Sequence, residues 1–236
     1  LIKSYKELQV KITECREVED LIKADIIEKE ILIDEINNRV KNNMNLIITM
    51  IDTLSSNESH PEVKLKYKEL SQRVKAILLI QKNLYLSLSY AEIDFGNFIV
   101  NVTENLLDFY QAKEIVEVDF KVSGVFLNID YAIPCGIVVN ELISNALKHA
   151  FIENQPRKKH HKNILFIGYE SDNQDYTITI SDNGIGLPND FDLKEVETIG
   201  LQLVDILVND QINGSIELLK TRGTSFIIRF STKKQE

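Results

Sequence analysis

The chain has 236 residues, of which 44% are hydrophobic and 27% charged, and its formal net charge is −9. This length allows one large domain or two small ones, and the acidic balance argues against a general nucleic-acid binder. No apolar run approaches the length of a membrane span, and no signal-peptide pattern opens the chain. We therefore expect a cytoplasmic protein, or the cytoplasmic part of a longer, membrane-bound sensor.

The first 54 residues contain neither proline nor glycine, and their apolar side chains recur at near-heptad spacing. This periodicity predicts a long helix, in which residues 1–30 form a coiled-coil signalling helix. The predicted apolar stripe consists of Tyr5, Leu8, Ile12, Cys15, Ile22, Ile26, Ile33, Ile36, Val40, Ile47, Met50 and Leu54. Because the chain opens on Leu1 inside an already helical pattern, we expect a fragment whose upstream sensor domain is missing.

A breaker cluster at residues 55–61 separates this helix from a second one, predicted at 62–88. The predicted inner face of the second helix consists of Leu65, Leu70, Val74, Ile77, Ile80 and Leu84. Two antiparallel helices cannot bury both of their faces alone. We therefore expect an α-helical hairpin that forms a dimeric four-helix bundle, although a monomer with an additional covering helix is conceivable. Cys15 and Cys135 are far apart in sequence and are expected to be reduced thiols, with Cys15 on the dimer seam.

The pattern changes near residues 91–94, and we place the start of a second domain there, over residues 93–236. Its helical and strand patterns alternate, which is typical of an α/β sandwich. The predicted helices are 95–111, a helix capped by Asp130, and 198–208; the predicted strands are 117–122, the hairpin 164–169 with 176–181, and the hairpin 215–220 with 224–230.

Two motifs carry the chemistry of this domain. Asp-Asn-Gly-Ile-Gly at 182–186 follows an alternating strand, and its glycines suit a tight bend or the close approach of a flat ligand. Upstream, Glu141 and Asn145 are one helical turn apart. Lys148 and His149 follow one further turn along, so all four share one helix face. A carboxylate, an amide oxygen and a cation on one face predict a site for a metal-bound nucleotide phosphate.

Together these motifs resemble the N box and the first glycine box of the Bergerat ATP-binding fold, which histidine kinases, gyrase-type ATPases and related chaperones share. Residues 198–204 are similar to the second glycine motif, and residues 223–230 to the closing Gly-Thr strand. The resemblance implies an α/β sandwich of Bergerat type with ATP and Mg²⁺ as cofactors. The second motif departs from the family's Gly-x-Gly, because Thr198 precedes Gly200. The lid, at about 188–199, is also short, which implies reduced lid contacts.

Matching positions imply roles for individual residues. Asn145 would coordinate Mg²⁺, and Asp182 would accept a hydrogen bond from the adenine amino group. Glu141 is a candidate catalytic carboxylate. The other implied cofactor-binding residues are Lys148 and His149 near phosphate or ribose, Asn183, Gly184 and Gly186 in the first glycine box, Thr198, Gly200 and Leu201 where a helix opens toward the phosphates, and Thr224 at the adenine end.

Residues 35–43, Glu-Ile-Asn-Asn-Arg-Val-Lys-Asn-Asn, resemble the phosphoacceptor box of the second HisKA-type family of sensor histidine kinases. That box usually reads Glu-x-His-His-Arg-Val-Lys-Asn-Asn, and the histidine before the arginine is phosphorylated. Residues 76–85 resemble the family's second helix. The related HWE family is a poorer match, because the chain contains no tryptophan. The resemblance implies dimerisation and histidine phosphotransfer within residues 31–92.

Asn38 occupies the phosphoacceptor position of this box. Asparagine has no ring nitrogen to attack a γ-phosphoryl group, so the chain should be unable to form phosphohistidine. Glu35 and Asn42 flank position 38 on the same helix face. The carboxylate could take the proton of an imidazole, and the amide could position water for dephosphorylation. Either a histidine was deliberately replaced or the chain is a natural degenerate kinase, and the sequence is compatible with both.

Three functions are compatible with these motifs. The first is a sensor histidine kinase core that uses Mg-ATP for autophosphorylation and passes the phosphoryl group to the receiver domain of a response regulator. The second is a degenerate kinase that acts as a nucleotide-binding dimeric scaffold or phosphatase. The third is a gyrase-like ATPase with Glu141 as general base toward water, which would need a transducer domain not found in this chain. We rank them in that order.

Overall fold

The computed structural model describes residues 2–86, 92–122, 124, 126–151, 162–188, 191, 193 and 199–233. Its contacts divide the chain into two compact units, residues 1–50 and 51–236. This division groups the second predicted helix and the end of the first with the sheet domain. The domain limits predicted from the sequence, after residues 30 and 92, remain predictions. Among the described residues, no helix is long and apolar enough to cross a membrane.

The described residues form five α-helices and seven strands. In chain order these are α1 Ile2–Asn57, α2 Pro61–Leu86, β1 Glu92–Asp94, α3 Phe95–Phe109, β2 Val116–Val122, β3 Phe126–Asn128, α4 Ile129–Asn145, β4 Asn163–Asp172, β5 Asp175–Asp182, α5 Ile199–Ile206, β6 Ser215–Thr221 and β7 Gly223–Ser231. Single π-helical turns, Ala146–Ala150 and Leu207–Gln211, continue α4 and α5. The predicted helices and hairpins are confirmed within the described residues, which exclude 87, 88 and 198. Helix α1 continues through residues 55–57 of the predicted breaker cluster. The strands β1 and β3 were missed, because three residues are too few to show alternation.

The main sheet has five strands in the order β2-β4-β5-β7-β6. Strand β2 is parallel to β4, and every other neighbouring pair is antiparallel. Strands β1 and β3 pair separately as an antiparallel ribbon. Buried side chains alternate with more exposed ones along β5 and β7, which is typical of a sheet with one face against helices. The predicted α/β sandwich is therefore confirmed.

Short polar side chains start two of the helices. Asp94 caps α3, because its Oδ1 accepts the backbone N–H of Asn97 at 3.0 Å. Asn128 caps α4, because its Oδ1 accepts the backbone N–H of Asp130 at 3.0 Å. The prediction that Asp130 is the cap was wrong. Asp130 lies in the first turn of α4, where a negative charge complements the helix dipole without capping it.

The core joins the helices to the buried face of the sheet. Phe95 stacks on Phe98 and meets Tyr169 edge to face, each at a centroid distance of 5.2 Å. Fully buried side chains of this size contribute roughly 1.5–3 kcal/mol each to folding. Cys135 is buried here as a free thiol, and burial raises its pKa, which keeps it protonated and unreactive. Cys15 is also free, but it is exposed on α1.

Where its side chains are described, helix α1 exposes most of its predicted apolar stripe in the single chain. Ile36, for example, is 59% exposed. Ion pairs one turn apart, such as Arg39 with Glu35 at 2.5 Å, line the helix surface. A helix that exposes such a stripe is typical of one that packs against a partner helix. The dimeric bundle itself remains a prediction.

Helix α2 packs on α4 through part of its predicted inner face, which includes Ile80, and through neighbouring small residues. Ser71, Ala76 and Ile80 are buried on α2, whereas the apolar residues Leu65 and Leu70, assigned to its inner face, are more than 40% exposed. Contact with α4 is close, because a side chain added at Gly136 of α4 would overlap Ile80. The predicted inner face was thus only part of the packing surface of α2.

Candidate functional site

A cavity of about 940 Å³ lies where α2, the end of α4, the end of β5, the start of α5 and the start of β7 meet. Ligand pockets typically measure about 300–1,000 Å³. The apolar part of its lining includes Leu142, Ala146, Ile180, Ile185, Leu187 and Phe226. The polar part includes Glu69, Arg73, Asn145, Lys148, His149, Asp182 and Thr224. Apolar walls with a few converging polar groups suit a flat ligand that carries charge at one end.

Asp182, the last residue of β5, is oriented by two backbone donors. Its Oδ1 accepts the N–H of Gly184 at 2.8 Å and the N–H of Thr224 at 3.3 Å. Thr224 reaches this position because β7 pairs with β5. Asp182, assigned from the sequence to the adenine amino group, and Thr224, assigned to the adenine end, both line the cavity. The carboxylate is therefore a fixed hydrogen-bond acceptor in the cavity wall.

Glycines let the backbone close tightly around this aspartate. Gly186 lines the cavity with φ +74°, and Gly223 has φ +117° at the turn between β6 and β7. A side chain on Gly223 would overlap the backbone of Asp182, and one on Gly184 would overlap the backbone of Ala150. Gly184 thus shapes the chain next to the end of α4, whereas Gly186 forms part of the wall itself.

Asn183 has a structural task in this box. Its Oδ1 accepts the N–H of Ile164 at 2.8 Å, and its Nδ2 donates to the carbonyl of Lys162 at 2.8 Å. Its side chain thereby ties the glycine box to the start of β4. The sequence predicted Asn183 as a cofactor-binding residue, but the structure places it outside the cavity lining.

The face of α4 and its π-helical turn supplies the polar end of the cavity. Asn145, Lys148 and His149 line it together, as their spacing predicted. Lys148 Nζ is 2.8 Å from Glu69 Oε1. The pKa of His149 is lowered, first by loss of water at the cavity wall and second by the charge of Lys148. A neutral imidazole can then both donate and accept a hydrogen bond near neutral pH.

Glu141 is on the same helix but is not in the lining. Its side chain is only 4% exposed and is held by the guanidinium of Arg73, whose Nη2 donates to Oε2 at 2.6 Å while Nε donates to Oε1. Gly200, at the start of α5, lies against this pair, since a Cβ there would be 2.6 Å from Glu141 Oε2. The N-box carboxylate, α2 and the second glycine motif therefore meet at one point.

The second glycine motif and the lid are described only in part. Gly200 and Leu201 line the cavity, whereas Thr198 lies outside the described residues. Of the predicted lid, Pro188 and Phe191 also line the cavity. Lys220 Nζ donates to the carbonyl of Phe191 at 2.6 Å and of Pro188 at 3.2 Å. This part of the lid is therefore attached to β6.

The candidate phosphoacceptor positions belong to the first compact unit. Asn38 and Asn42 are exposed on α1. Glu35 is also exposed, and it accepts a hydrogen bond from Arg39 at 2.5 Å. Glu35, the predicted proton acceptor for position 38, is thus already paired with an arginine one turn further along the helix.

Sequence reasoning missed the contribution of α2 to the cavity. Lys66, Tyr67, Glu69, Leu70 and Arg73 all line it. Their spacing of three, four and seven residues marks one helix face, which was a readable signal. Leu70 belongs to the predicted inner face of α2, which was assigned to the helical bundle and not to a cavity. The partner of Glu141 could not be identified from sequence, because Arg73 is 68 residues away.

The described residues fit a nucleotide–magnesium complex better than a metal bound by protein alone. They contain no group of three or more His, Cys, Asp or Glu side chains arranged to hold an ion. Mg²⁺ is usually bound by one or two protein oxygens together with substrate phosphates and water. The amide oxygen of Asn145 in the cavity wall meets that need.

Two family models match most of the chain. Residues 35–110 match the histidine kinase family HisKA_2, and residues 131–234 match the family of histidine kinase-, DNA gyrase B- and HSP90-like ATPases. The first covers the segment around Asn38 together with α2 and α3, and the second covers the cavity described above. Both matches agree with the families that the motifs resemble.

Curated relatives carry the same kind of name. The sensor histidine kinase PdtaS of Mycobacterium tuberculosis (strain CDC 1551 / Oshkosh) is 26% identical over 218 residues, which cover 91% of this chain and 42% of PdtaS. Blue-light-activated histidine kinase 2 of Erythrobacter litoralis (strain HTCC2594) is 25% identical over 193 residues, which cover 80% of this chain and 53% of that protein. The chain thus spans about half or less of the length of these relatives.

A solved structure shares the fold. The histidine kinase domain of a blue-light-activated kinase from Erythrobacter litoralis superposes with a TM-score of 0.63 at 22% identity. The match covers 84% of this chain and 89% of that domain. At this level of identity the likeness establishes the architecture, a helical region followed by an α/β ATPase domain.

Proposed function

Since this chain belongs to the histidine kinase family, we propose that it is the dimerisation and ATP-binding core of a sensor histidine kinase. The observation that carries the proposal is the convergence of Asp182, Thr224 and the polar face of α4 on one cavity of about 940 Å³. An ATPase domain implies ATP as the ligand. An adenine base would fit the apolar end beside the fixed carboxylate, and a phosphate chain would fit the cationic end.

The chain's own residues divide the work of binding. Asp182, oriented by two backbone donors, accepts a hydrogen bond from an exocyclic amine. Asn145 offers its amide oxygen to Mg²⁺, and Lys148 and the start of α5 favour negative charge. ATP, when bound, supplies the γ-phosphoryl group. Catalysis of its transfer rests on positioning and electrostatics, which preorganised side chains of this kind provide.

Position 38 is the phosphoacceptor site in this proposal. In a protein with histidine there, the ring nitrogen would attack the γ-phosphoryl group while Glu35 takes the ring proton. Asn42, one turn later, would position water for dephosphorylation. With Asn38 in place, no such nucleophile exists, so this chain does not autophosphorylate. The exposure of residues 35, 38 and 42 supports a site open to a visiting domain.

The test is a transfer assay on two proteins, the chain itself and its Asn38→His variant, each incubated with Mg²⁺ and ATP labelled in the γ-phosphate. We expect acid-labile, base-stable label on Asn38→His alone. Label on the unaltered chain would place the phosphoacceptor elsewhere. An Asn38→Gln variant serves as the matched control, because it changes the same position without adding a ring nitrogen.

The partners follow from the same assignment. The exposed apolar stripe of α1 supports a homodimer through the helical bundle. The match to the histidine kinase family supports transfer of the phosphoryl group to the receiver domain of a response regulator. An upstream sensor region would detect the stimulus. Sedimentation of the chain at several concentrations tests the dimer, and a monomer at all of them would remove the bundle from the proposal.

A second function is favoured by one specific observation, which is Asn38 itself. A degenerate kinase could bind ATP, dimerise and act as a scaffold or phosphatase without forming phosphohistidine. Retained ATP binding with no label on either the chain or Asn38→His would support this alternative and exclude the kinase.

A further inference from the structure

Two ion pairs of opposite polarity join α2 to the wall of the cavity. Arg73 of α2 holds Glu141 of α4 with two hydrogen bonds, and Glu69 of α2 accepts the ammonium of Lys148 at 2.8 Å. Glu69 and Arg73 are one turn apart on α2. Glu141 and Lys148 are two turns apart on α4 and its π-helical extension. Each helix thus presents one cation and one anion to the other.

Both pairs are shielded from water. The side chains of Arg73 and Glu141 are 22% and 4% exposed, and those of Lys148 and Glu69 are 20% and 17% exposed. A carboxylate as buried as Glu141 needs a cationic partner, because an unpaired charge is costly in such surroundings. The described structure gives it Arg73. Separating either pair without a replacement partner would therefore leave a shielded charge uncompensated, which costs more than separating a surface ion pair.

The same two pairs border the place where phosphates would lie. Arg73, Glu69 and Lys148 all line the cavity, and Gly200, at the start of α5, lies against both Arg73 and Glu141. A triphosphate here would attract the two cations and repel the two carboxylates. Because each cation already neutralises a carboxylate of the contact between α2 and α4, the ligand and this contact compete for the same charges.

We propose that Glu69 and Arg73, together with Glu141 and Lys148, form a charge latch that holds α2 on the nucleotide cavity, and that the phosphates of a bound nucleoside triphosphate release it. This inference rests on the proposed function, because it needs ATP in this cavity. The latch keeps α2 docked while the cavity lacks a triphosphate. Phosphates attract Lys148 and Arg73, so the two carboxylates are less completely neutralised and the contact between α2 and α4 weakens.

The first test compares the binding of Mg-ATP and of adenosine to Glu69→Gln. This variant removes the anion that holds Lys148, while Arg73 continues to neutralise Glu141, so the fold should persist. The matched control is Glu62→Gln, which removes the same charge from the exposed first turn of α2. We expect Glu69→Gln to bind Mg-ATP about two- to fivefold more tightly, with adenosine unchanged, and Glu62→Gln to bind both as the parent does. Equal ATP affinities for Glu69→Gln and Glu62→Gln would overturn the latch.

The second test follows the backbone of α2 by amide hydrogen exchange at residues 66–80. Saturating Mg-ATP should raise exchange in this stretch, and saturating adenosine should not. Glu69→Gln should show part of the increase before any nucleotide is added. If Mg-ATP binds and α2 keeps its protection, the latch is wrong and the nucleotide site stands. If Mg-ATP does not bind, both the proposed function and the latch are wrong.

Discussion

Two arginine–glutamate pairs of this chain have the same chemistry in different surroundings. On α1, Arg39 and Glu35 are 75% and 54% exposed, whereas Arg73 and Glu141, between α2 and α4, are 22% and 4% exposed. The exposed pair contributes at most about 0.5 kcal/mol to folding, because water solvates both partners when it breaks. The buried pair cannot lose one partner without leaving a charge in an apolar setting.

This difference matches the proposed tasks of the two regions. Around position 38, the polar side chains face solvent, where an approaching nucleotide domain or receiver domain could reach them. At the cavity, Arg73 holds Glu141 behind the wall, and two backbone N–H groups orient Asp182 in the wall itself. A site of transfer needs access, whereas a binding site needs preorganisation.

Replacing the arginine of each pair by methionine gives the largest expected difference in stability between the two regions. Arg73→Met should lower the free energy of unfolding by about 3–5 kcal/mol, because it leaves Glu141 buried and unpaired. Arg39→Met should change it by less than about 0.5 kcal/mol, because its partner is solvated. Urea denaturation of both variants and the parent measures the difference.

The double variant Arg73→Met with Glu141→Met identifies the cause of that loss. Replacing a buried pair by apolar side chains is often neutral or stabilising, so most of the lost stability should return. Equal losses in Arg73→Met and Arg39→Met would show that burial does not distinguish the two pairs.

The close contact between α2 and α4 gives the next effect. Gly136→Ala should cost about 1–3 kcal/mol, because its Cβ would overlap Ile80 and lie 3.0 Å from the ring of Phe98. The better helix propensity of alanine offsets up to about 1 kcal/mol of this. Gly124→Ala is the matched control, since nothing lies within 4 Å of its added carbon. Thermal unfolding should show a lower Tm for Gly136→Ala alone. Similar Tm values for the two variants would mean that α2 moves away from the added carbon at little cost in free energy.

The start of α4 gives a smaller effect and tests the corrected cap. Asn128→Ala should cost about 1 kcal/mol, because the N–H of Asp130 loses its acceptor. Asp130→Ala should cost about 0.3 kcal/mol, since it removes only a favourable charge in the first turn. Urea denaturation separates the two, and a larger loss for Asp130→Ala would restore the cap that the sequence predicted.

Local patterns of the sequence were sufficient for most of the fold. The two hairpins and the helical face of Asn145, Lys148 and His149 were predicted, because alternation, turn residues and helical spacing are local signals. The glycine box was found for the same reason, although the side chain of Asn183 serves β4 and not the cavity. A motif identifies the neighbourhood of a ligand, and hydrogen bonding decides which side chains face it.

Contacts between distant segments could not be predicted in the same way. The pairing of Arg73 with Glu141 depends on α2 packing against α4, and the spacing of apolar residues on α2 did not indicate which helix that would be. The three-residue strands β1 and β3 also depend on distant pairing, because neither has a pattern of its own. These are the places where tertiary packing, and not propensity, determines the structure.

The smallest expected effect concerns the titration of His149, at the border between the two helices. Its pKa is lowered from 6.5, so the unfolded chain binds a proton more readily than the folded one. The contribution of His149 to stability is therefore complete above the unfolded pKa and is lost as pH falls through the folded value. An NMR titration of the ring should give a midpoint below 6.5, and Lys148→Gln should move that midpoint upward, because it removes the neighbouring positive charge. Glu69→Gln should move it downward, because Glu69 favours the protonated ring. A midpoint at or above 6.5 in the parent protein would mean that water reaches this end of the cavity as freely as it reaches Glu35 and Arg39 on α1.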